Sequence, residues 1–205
     1  MNALILSATS DIGKYLVKRL KQEKYNVYAT YNSSNPDYSL LDKSNWLKFD
    51  IKEFNSKHFR EWLKKIGDWD LFISCVGIQD PVGMFEQLDS SEWVDGVNNS
   101  TYQVGALIES LPYRNKKSIV NAFFFAGGGT NSATPAYSAQ TIGKISLIKC
   151  AELLDYELKD VKVCALGPGW VKTKIHSATL KAKEKAGENY EKTKLMLNSP
   201  DKLNT

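Results

Sequence analysis

A chain of 205 residues that is 42% hydrophobic and 24% charged can bury a sizeable core, which excludes a disordered or fibrous protein. No apolar run approaches the roughly 18–20 residues of a membrane span, and the N-terminus enters an apolar strand with no secretory-signal features. The net charge of +4 is local: from residue 172 onward Lys172, Lys174, Lys181, Lys183, Lys185, Lys192, Lys194 and Lys202 face Glu184, Glu188, Glu191 and Asp201, which is the whole excess.

This basic stretch reads as a solvated helix face or as an attraction for an anionic ligand. It lacks the interleaved aromatics of a nucleic-acid stacking surface, so no nucleic acid is expected. Cys75, Cys150 and Cys164 are far apart, form no metal-like pair and lie in apolar segments. Reduced core thiols in a cytoplasmic protein, with no metal and no membrane, are the expectation.

Short apolar runs alternate with amphipathic stretches, the pattern of βαβ units and a parallel sheet. Residues 3–7 (ALILS) predict a first strand, and 12–20 a helix with Ile12, Leu16, Val17 and Leu20 on one face. Strands follow at 26–31 (NVYATY) and 46–51 (WLKFDI), a helix at 58–66, and a fully buried strand at 71–76 (LFISCV). A long helix over 91–111, a strand at 118–125, a long helix over 138–158 and a strand at 161–166 complete the alternation. Right-handed crossovers make this an α/β, doubly wound Rossmann sheet of order 3-2-1-4-5-6 with helices on both faces, one domain over 1–205. No β-rich run follows Val171, so a seventh strand is not expected, and 174–205 reads as a helical segment covering a substrate. The sixth strand is then an open edge.

Between the first strand and first helix runs Ser7-Ala8-Thr9-Ser10-Asp11-Ile12-Gly13. A tight turn there aims backbone N–H groups and a helix N-terminus at a pyrophosphate, although Ser10 or Asp11 acting as a plain helix cap explains the same residues. Three other segments end strands in the same way: Asp50-Ile51, Ser74-Cys75-Val76-Gly77 and Pro168-Gly169-Trp170-Val171-Lys172-Thr173. Four such segments in this order resemble the short-chain dehydrogenase/reductase family. The resemblance implies a nicotinamide dinucleotide held by Ser7, Thr9, Ser10, Asp11, Ile12 and Gly13 in the G-x-x-x-G-x-G turn, where Ser7 and Asp11 replace glycines. It further implies Asp50 and Ile51 near the adenine, Cys75, Val76 and Gly77 in the N-N-A-G slot, and Pro168, Gly169, Val171 and Thr173 beside the nicotinamide. Tyr31, Asn32 and Ser33 end the second strand without the acid that selects NAD. With no Arg or Lys there either, NADP is favoured over NAD only by the hydrogen-bonding Asn32, Ser33 and Ser34.

The family pairs a Tyr with a Lys four residues on, one helical turn away, so that the ammonium lowers the phenol pKa while the phenol exchanges a proton with the substrate oxygen. In AGGGTNSATPAYSAQTIGKIS the Lys is Lys144, which the resemblance also places on the cofactor ribose, and the Tyr position holds Gln140. Gln has no proton to give. The family's Ser falls on Ala126, with Thr130 the nearest hydroxyl, and its Asn on Asn99. Three readings of Gln140 stand: an inactivated variant, a natural non-catalytic protein, or an enzyme that uses Tyr137 instead.

The Y-S-A-x-x-x-x-K frame resembles a subgroup associated with bacterial surface-polysaccharide genes, which implies polysaccharide biosynthesis and an anionic or nucleotide-linked sugar as the small-molecule substrate. Two functions follow: an NAD(P)-dependent oxidoreductase acting on a carbonyl or hydroxyl, impaired at Gln140, or an inactive dinucleotide-binding protein. The apolar residues of the last long helix (Leu147, Ile148, Ala151, Leu153, Leu154) suggest a homodimer or homotetramer.

Overall fold

In the computed structural model, which describes residues 1–198, six strands lie parallel in one sheet. They are Asn2–Leu6 (β1), Asn26–Tyr31 (β2), Trp46–Lys48 (β3), Leu71–Ser74 (β4), Val120–Phe125 (β5) and Val161–Leu166 (β6), in the expected order β3-β2-β1-β4-β5-β6. The crossovers carry helices Asp11–Gln22 (α1), Lys57–Ile66 (α2), Ser90–Ser110 (α3) and Ser138–Glu157 (α4). Beyond β6 come two further helices, Ser177–Ala182 (α5) and Glu188–Asn198 (α6). Asp201 and Lys202 of the basic stretch lie outside the described residues. Among the described residues no helix is long and apolar enough to cross a membrane.

The alternation of strand side chains divides the core in two. Leu4 and Leu6 of β1 join Phe72, Phe124 and Val163 in a layer closed by Phe59, Trp62 and Leu63 of α2, Leu107 of α3 and Leu147 of α4. Ala3 and Ile5 turn to the opposite face, with Val27, Ala29 and Ile73, under Val17 of α1. Each fully buried Leu, Phe or Ile stabilises this arrangement by about 1.5–3 kcal/mol, so the carboxyl ends of β1, β4 and β5 are held by the most buried part of the molecule. Helices α3 and α4 cross closely at Gly143, where a Cβ would come within 3.0 Å of Ser100 Oγ and the Val97 carbonyl.

Several expectations are corrected. β3 stops at Lys48 instead of residue 51, because the Asp50 carboxylate accepts the Lys52 N–H at 3.0 Å and caps a 3₁₀ turn over Ile51–Glu53. β1 and β4 end at Leu6 and Ser74, one and two residues earlier than predicted. Cys164 is not a core thiol: Val161 and Val163 of the edge strand are buried, whereas Lys162, Cys164 and Leu166 alternate to an exposed face. Cys150 is half-buried and Cys75 buried, and all three are free.

Candidate functional site

Ser7 leaves β1 with φ +54°, the left-handed region that a glycine enters without strain. The turn is held from β2: Ser7 N–H donates to Thr30 Oγ1 (3.0 Å) and Ala8 N–H to the Thr30 carbonyl (2.8 Å). Ser10 caps α1 by accepting the Gly13 N–H at 3.0 Å. Gly13 has no alternative, since a Cβ there would lie 2.7–2.8 Å from the backbone of Ala8. Helix α1 thus starts directly against the end of β1, with Thr9 buried and Ile12 packed on the lower core. Because Ser7 makes no side-chain bond among those described, Ser7→Gly is expected to stabilise the fold by about 0.5–1 kcal/mol, the left-handed strain relieved less the entropy of the added glycine. Thermal unfolding checks this; a lowered midpoint would mean that the Ser7 hydroxyl is used.

At the neighbouring strand ends, Tyr31 stands edge-on to Trp46 (6.2 Å between rings), and Asn32 and Ser33 are exposed. Ile51 is buried in the upper core layer, so its side chain faces inward. Cys75 donates its N–H to the Leu6 carbonyl, and burial pushes its thiol pKa up to about 12, which makes it inert packing. Val76 is half-buried and Gly77 exposed, as a backbone that a ligand approaches must be.

Lys144, on α4, is 5% exposed. Its stem packs on Gly127, where a Cβ would sit 3.0 Å from Lys144 Cγ, and its ammonium donates to the Phe125 carbonyl at 2.7 Å, at the end of β5. Burial lowers its pKa to about 8, and no carboxylate pairs with it among the described residues. Gln140 lies one turn earlier on the same helix, half-buried, with no side-chain hydrogen bond among the described residues. Ala126 follows β5 and donates its N–H to the Leu166 carbonyl (2.8 Å), so it contributes backbone only. Asn99 is buried inside α3. Its carbonyl and Oδ1 accept from Gln103 Nε2 (3.2 and 3.4 Å), and Gln103 Oε1 accepts from Ser74 Oγ (2.8 Å). This buried relay ties α3 to the end of β4.

The sequence pattern of the short chain dehydrogenase family matches residues 1–184. The chain belongs to the short chain dehydrogenase family. An uncharacterized oxidoreductase of Schizosaccharomyces pombe is 23% identical over 175 residues, 83% of this chain and 70% of that protein. A short chain dehydrogenase/reductase of Saccharomyces cerevisiae superposes with a TM-score of 0.80 at 20% identity, covering 95% of this chain and 81% of that one. A small-chain dehydrogenase in complex with NADPH superposes at 0.69 and 19% identity, covering 96% and 78%.

In this chain the segment after β6 closes over the strand ends. Gly169 turns it with φ +73° beside Pro168. Trp170 stacks on His176 (4.1 Å between rings), and His176 Nε2 bonds the Val171 carbonyl at 3.0 Å, the ring's pKa lowered by burial. Past Thr173, Lys174 N–H donates to Asp11 Oδ2 (2.7 Å), and a Cβ on Gly77 would meet Ile175 at 3.0 Å. Asp11 and Gly77 are therefore both met by the residues immediately after Thr173, Lys174 and Ile175. Tyr137 turns elsewhere: its hydroxyl bonds Thr179 Oγ1 of α5 at 2.7 Å, Thr179 donates to Gln79 Oε1 at 3.1 Å, and burial raises the phenol pKa. Thr130 is half-buried in the loop after β5.

Two side chains gain a place here that the sequence did not assign. Gln103 could have been suspected from its place one turn after Asn99. Lys174 was legible only as one lysine of the basic stretch, yet its ammonium reaches the Thr9 carbonyl and Ser34 Oγ, both at 3.1 Å.

Proposed function

We propose that this chain binds a nicotinamide dinucleotide across the carboxyl ends of β1, β4 and β5, in a site arranged for a carbonyl or hydroxyl substrate and deprived of its proton donor. Lys144 carries this reading: a buried ammonium with only a carbonyl as partner costs stability, and its position at the end of β5 is where ribose hydroxyls would complete its hydrogen bonds. The residues fit such a group elsewhere too. Gly13 lets α1 begin against β1, and the first-turn N–H groups other than its own, which Ser10 caps, are left for a pyrophosphate. The loop from Pro168 to Thr173 would hold the nicotinamide end. The bound cofactor supplies hydride; this chain's residues orient it, exclude water and hold the substrate oxygen.

For the substrate, a cleft of about 570 Å³ opens beside Asn99. Asp80, Asp89, Glu92 and Asp95 line it with Lys52, Lys181 and Lys185, and Lys52 is paired to Asp95, a polar lining suited to a hydroxyl-rich, sugar-like molecule. A role in surface-polysaccharide biosynthesis is consistent with that chemistry. Of the residues expected on a pairing surface, Leu147 and Ala151 are buried in the core and Leu153 is exposed; with Ile108, Ile142 and Ile145 it gives α3 and α4 the apolar surface through which two copies would pair. Three free thiols suit a reducing, cytoplasmic compartment.

Titration of the protein with NADH and NADPH, followed by nucleotide fluorescence, tests the cofactor reading. Saturable binding is expected, weakened about tenfold or more by Lys144→Met. Absence of binding to both nucleotides would overturn the proposal.

A second reading is favoured by one observation: Gln140 and Ala126 offer no ionisable or hydroxyl group, and the Tyr137 hydroxyl is committed to Thr179. The chain would then bind the dinucleotide without turning a substrate over.

A further inference from the structure

The end of β2 is where this fold distinguishes its two dinucleotides: an acid there binds a ribose 2′-hydroxyl, and a cation there accepts a 2′-phosphate. The segment from Tyr31 to Ser34 has neither, and Asn32 and Ser33 are exposed. The missing cation arrives from another element. Lys174 lies 140 residues beyond Ser34 in sequence, and its ammonium is 3.1 Å from Ser34 Oγ. Its backbone is fixed at the other end by the 2.7 Å bond from Lys174 N–H to Asp11 Oδ2. Its stem therefore crosses the first turn, and the ammonium at its end also donates to the Thr9 carbonyl at 3.1 Å. Among the described residues no carboxylate lies within ion-pair distance of this ammonium, which stands where the polar end of β2 opens to solvent.

We infer that Lys174 is the residue that selects NADP(H): its ammonium, with the Ser34 hydroxyl, holds the 2′-phosphate of the adenosine ribose. The inference rests on the dinucleotide reading above. An ammonium and a hydroxyl 3.1 Å apart can both donate to one phosphate oxygen set, and a dianion strengthens each such bond relative to a neutral acceptor. The nucleotide lacking that phosphate gains nothing from Lys174 beyond the contacts already present. Delivery from the loop after β6 also couples recognition of the adenosine end to the segment that borders the nicotinamide end, because Thr173 and Lys174 are neighbours.

The test is isothermal titration of NADPH, NADH, adenosine 2′,5′-bisphosphate and ADP into the wild-type chain, Lys174→Met and Ser34→Asp. Methionine keeps the stem and removes the charge; aspartate places a carboxylate beside the ammonium and against a 2′-phosphate. The wild-type chain is expected to bind NADPH and the 2′,5′-bisphosphate about 10- to 100-fold more tightly than NADH and ADP, as one or two charge-assisted bonds provide. Both variants are expected to lose that preference, Lys174→Met keeping its affinity for NADH and Ser34→Asp keeping or raising it, which also shows that they are folded. Equal losses for NADPH and NADH would place Lys174 on the pyrophosphate or in the structure alone and overturn the inference. So would unchanged binding in both variants, or a wild-type chain that holds NADH as tightly as NADPH. A wild-type chain that binds none of the four probes sinks the dinucleotide reading itself, and the assignment of Lys174 with it.

Discussion

Gln140→Tyr is expected to raise carbonyl reduction by about 10²–10⁴-fold, the range contributed by one positioned general acid. Residues 140 and 144 are one turn apart on α4, so a phenol at 140 would stand over the Lys144 ammonium. With a pKa of about 8, Lys144 is mostly protonated at pH 7 and lowers the pKa of a phenol beside it. The Gln140 amide has no titrating proton to pass to the substrate oxygen as hydride arrives at the carbonyl carbon. The exchange breaks no side-chain hydrogen bond among the described residues, because the Gln140 amide makes none. Adding Ala126→Ser should increase the gain, since a hydroxyl after β5 can orient the substrate oxygen. The measurement is NADPH consumption with a panel of aldehydes, ketones and keto-sugars. A variant that binds NADPH and turns over none of them would support the binding-only reading, whereas turnover by the unmodified chain would exclude it.

Tyr137 illustrates why the catalytic question needed coordinates. Seven residues separate it from Lys144, two turns of helix, which by spacing alone allows a shared face. The chain reaches Tyr137 just before α4 begins, with φ −126°, and its hydroxyl is taken by Thr179, 42 residues away. By contrast the sheet was legible from local pattern, because each strand carries its own apolar run, as in the fully buried Leu71–Ser74, and each crossover helix its own apolar face. Boundaries failed where a side chain competed for the backbone, as Asp50 does at the end of β3. Cys164 failed for a different reason: its segment is apolar, but local pattern does not say that one face of an edge strand stays open. The glycine-poor first turn was half legible. Gly13 is demanded by contact with Ala8, and Ser7 tolerates a left-handed conformation that its identity gave no reason to expect. Lys174 was legible only as part of the basic stretch, and its place was not, because its partners Thr9, Asp11 and Ser34 are 140 or more residues away.

Lys144 gives the second large effect, on stability and with a definite sign. Burial lowers its pKa from 10.5 to about 8, so the folded state disfavours the charged form that the unfolded chain keeps. Below about pH 8 both states are protonated and the fold carries the whole cost of the buried charge. Between about pH 8 and 10.5 the unfolded state binds the extra proton, so stability rises with pH; above 10.5 both states are neutral and the cost is gone. At about 1.4 kcal/mol for each tenfold change in proton affinity, the difference is about 3 kcal/mol. Lys144→Met has no such titration. Urea unfolding of both proteins at pH 7 and above 10 should show the wild type gaining up to about 3 kcal/mol on the variant. The Phe125 carbonyl that methionine leaves unpartnered is lost at both pH values and cancels. Parallel pH profiles would show that the ammonium is well solvated in the fold, and would remove the argument that its burial needs a ligand. Saturating NADPH should flatten the wild-type profile, because hydroxyls accepting from the ammonium favour its charged form. A stability cost that ligand binding offsets is the expected mark of a residue placed for binding and not for the fold.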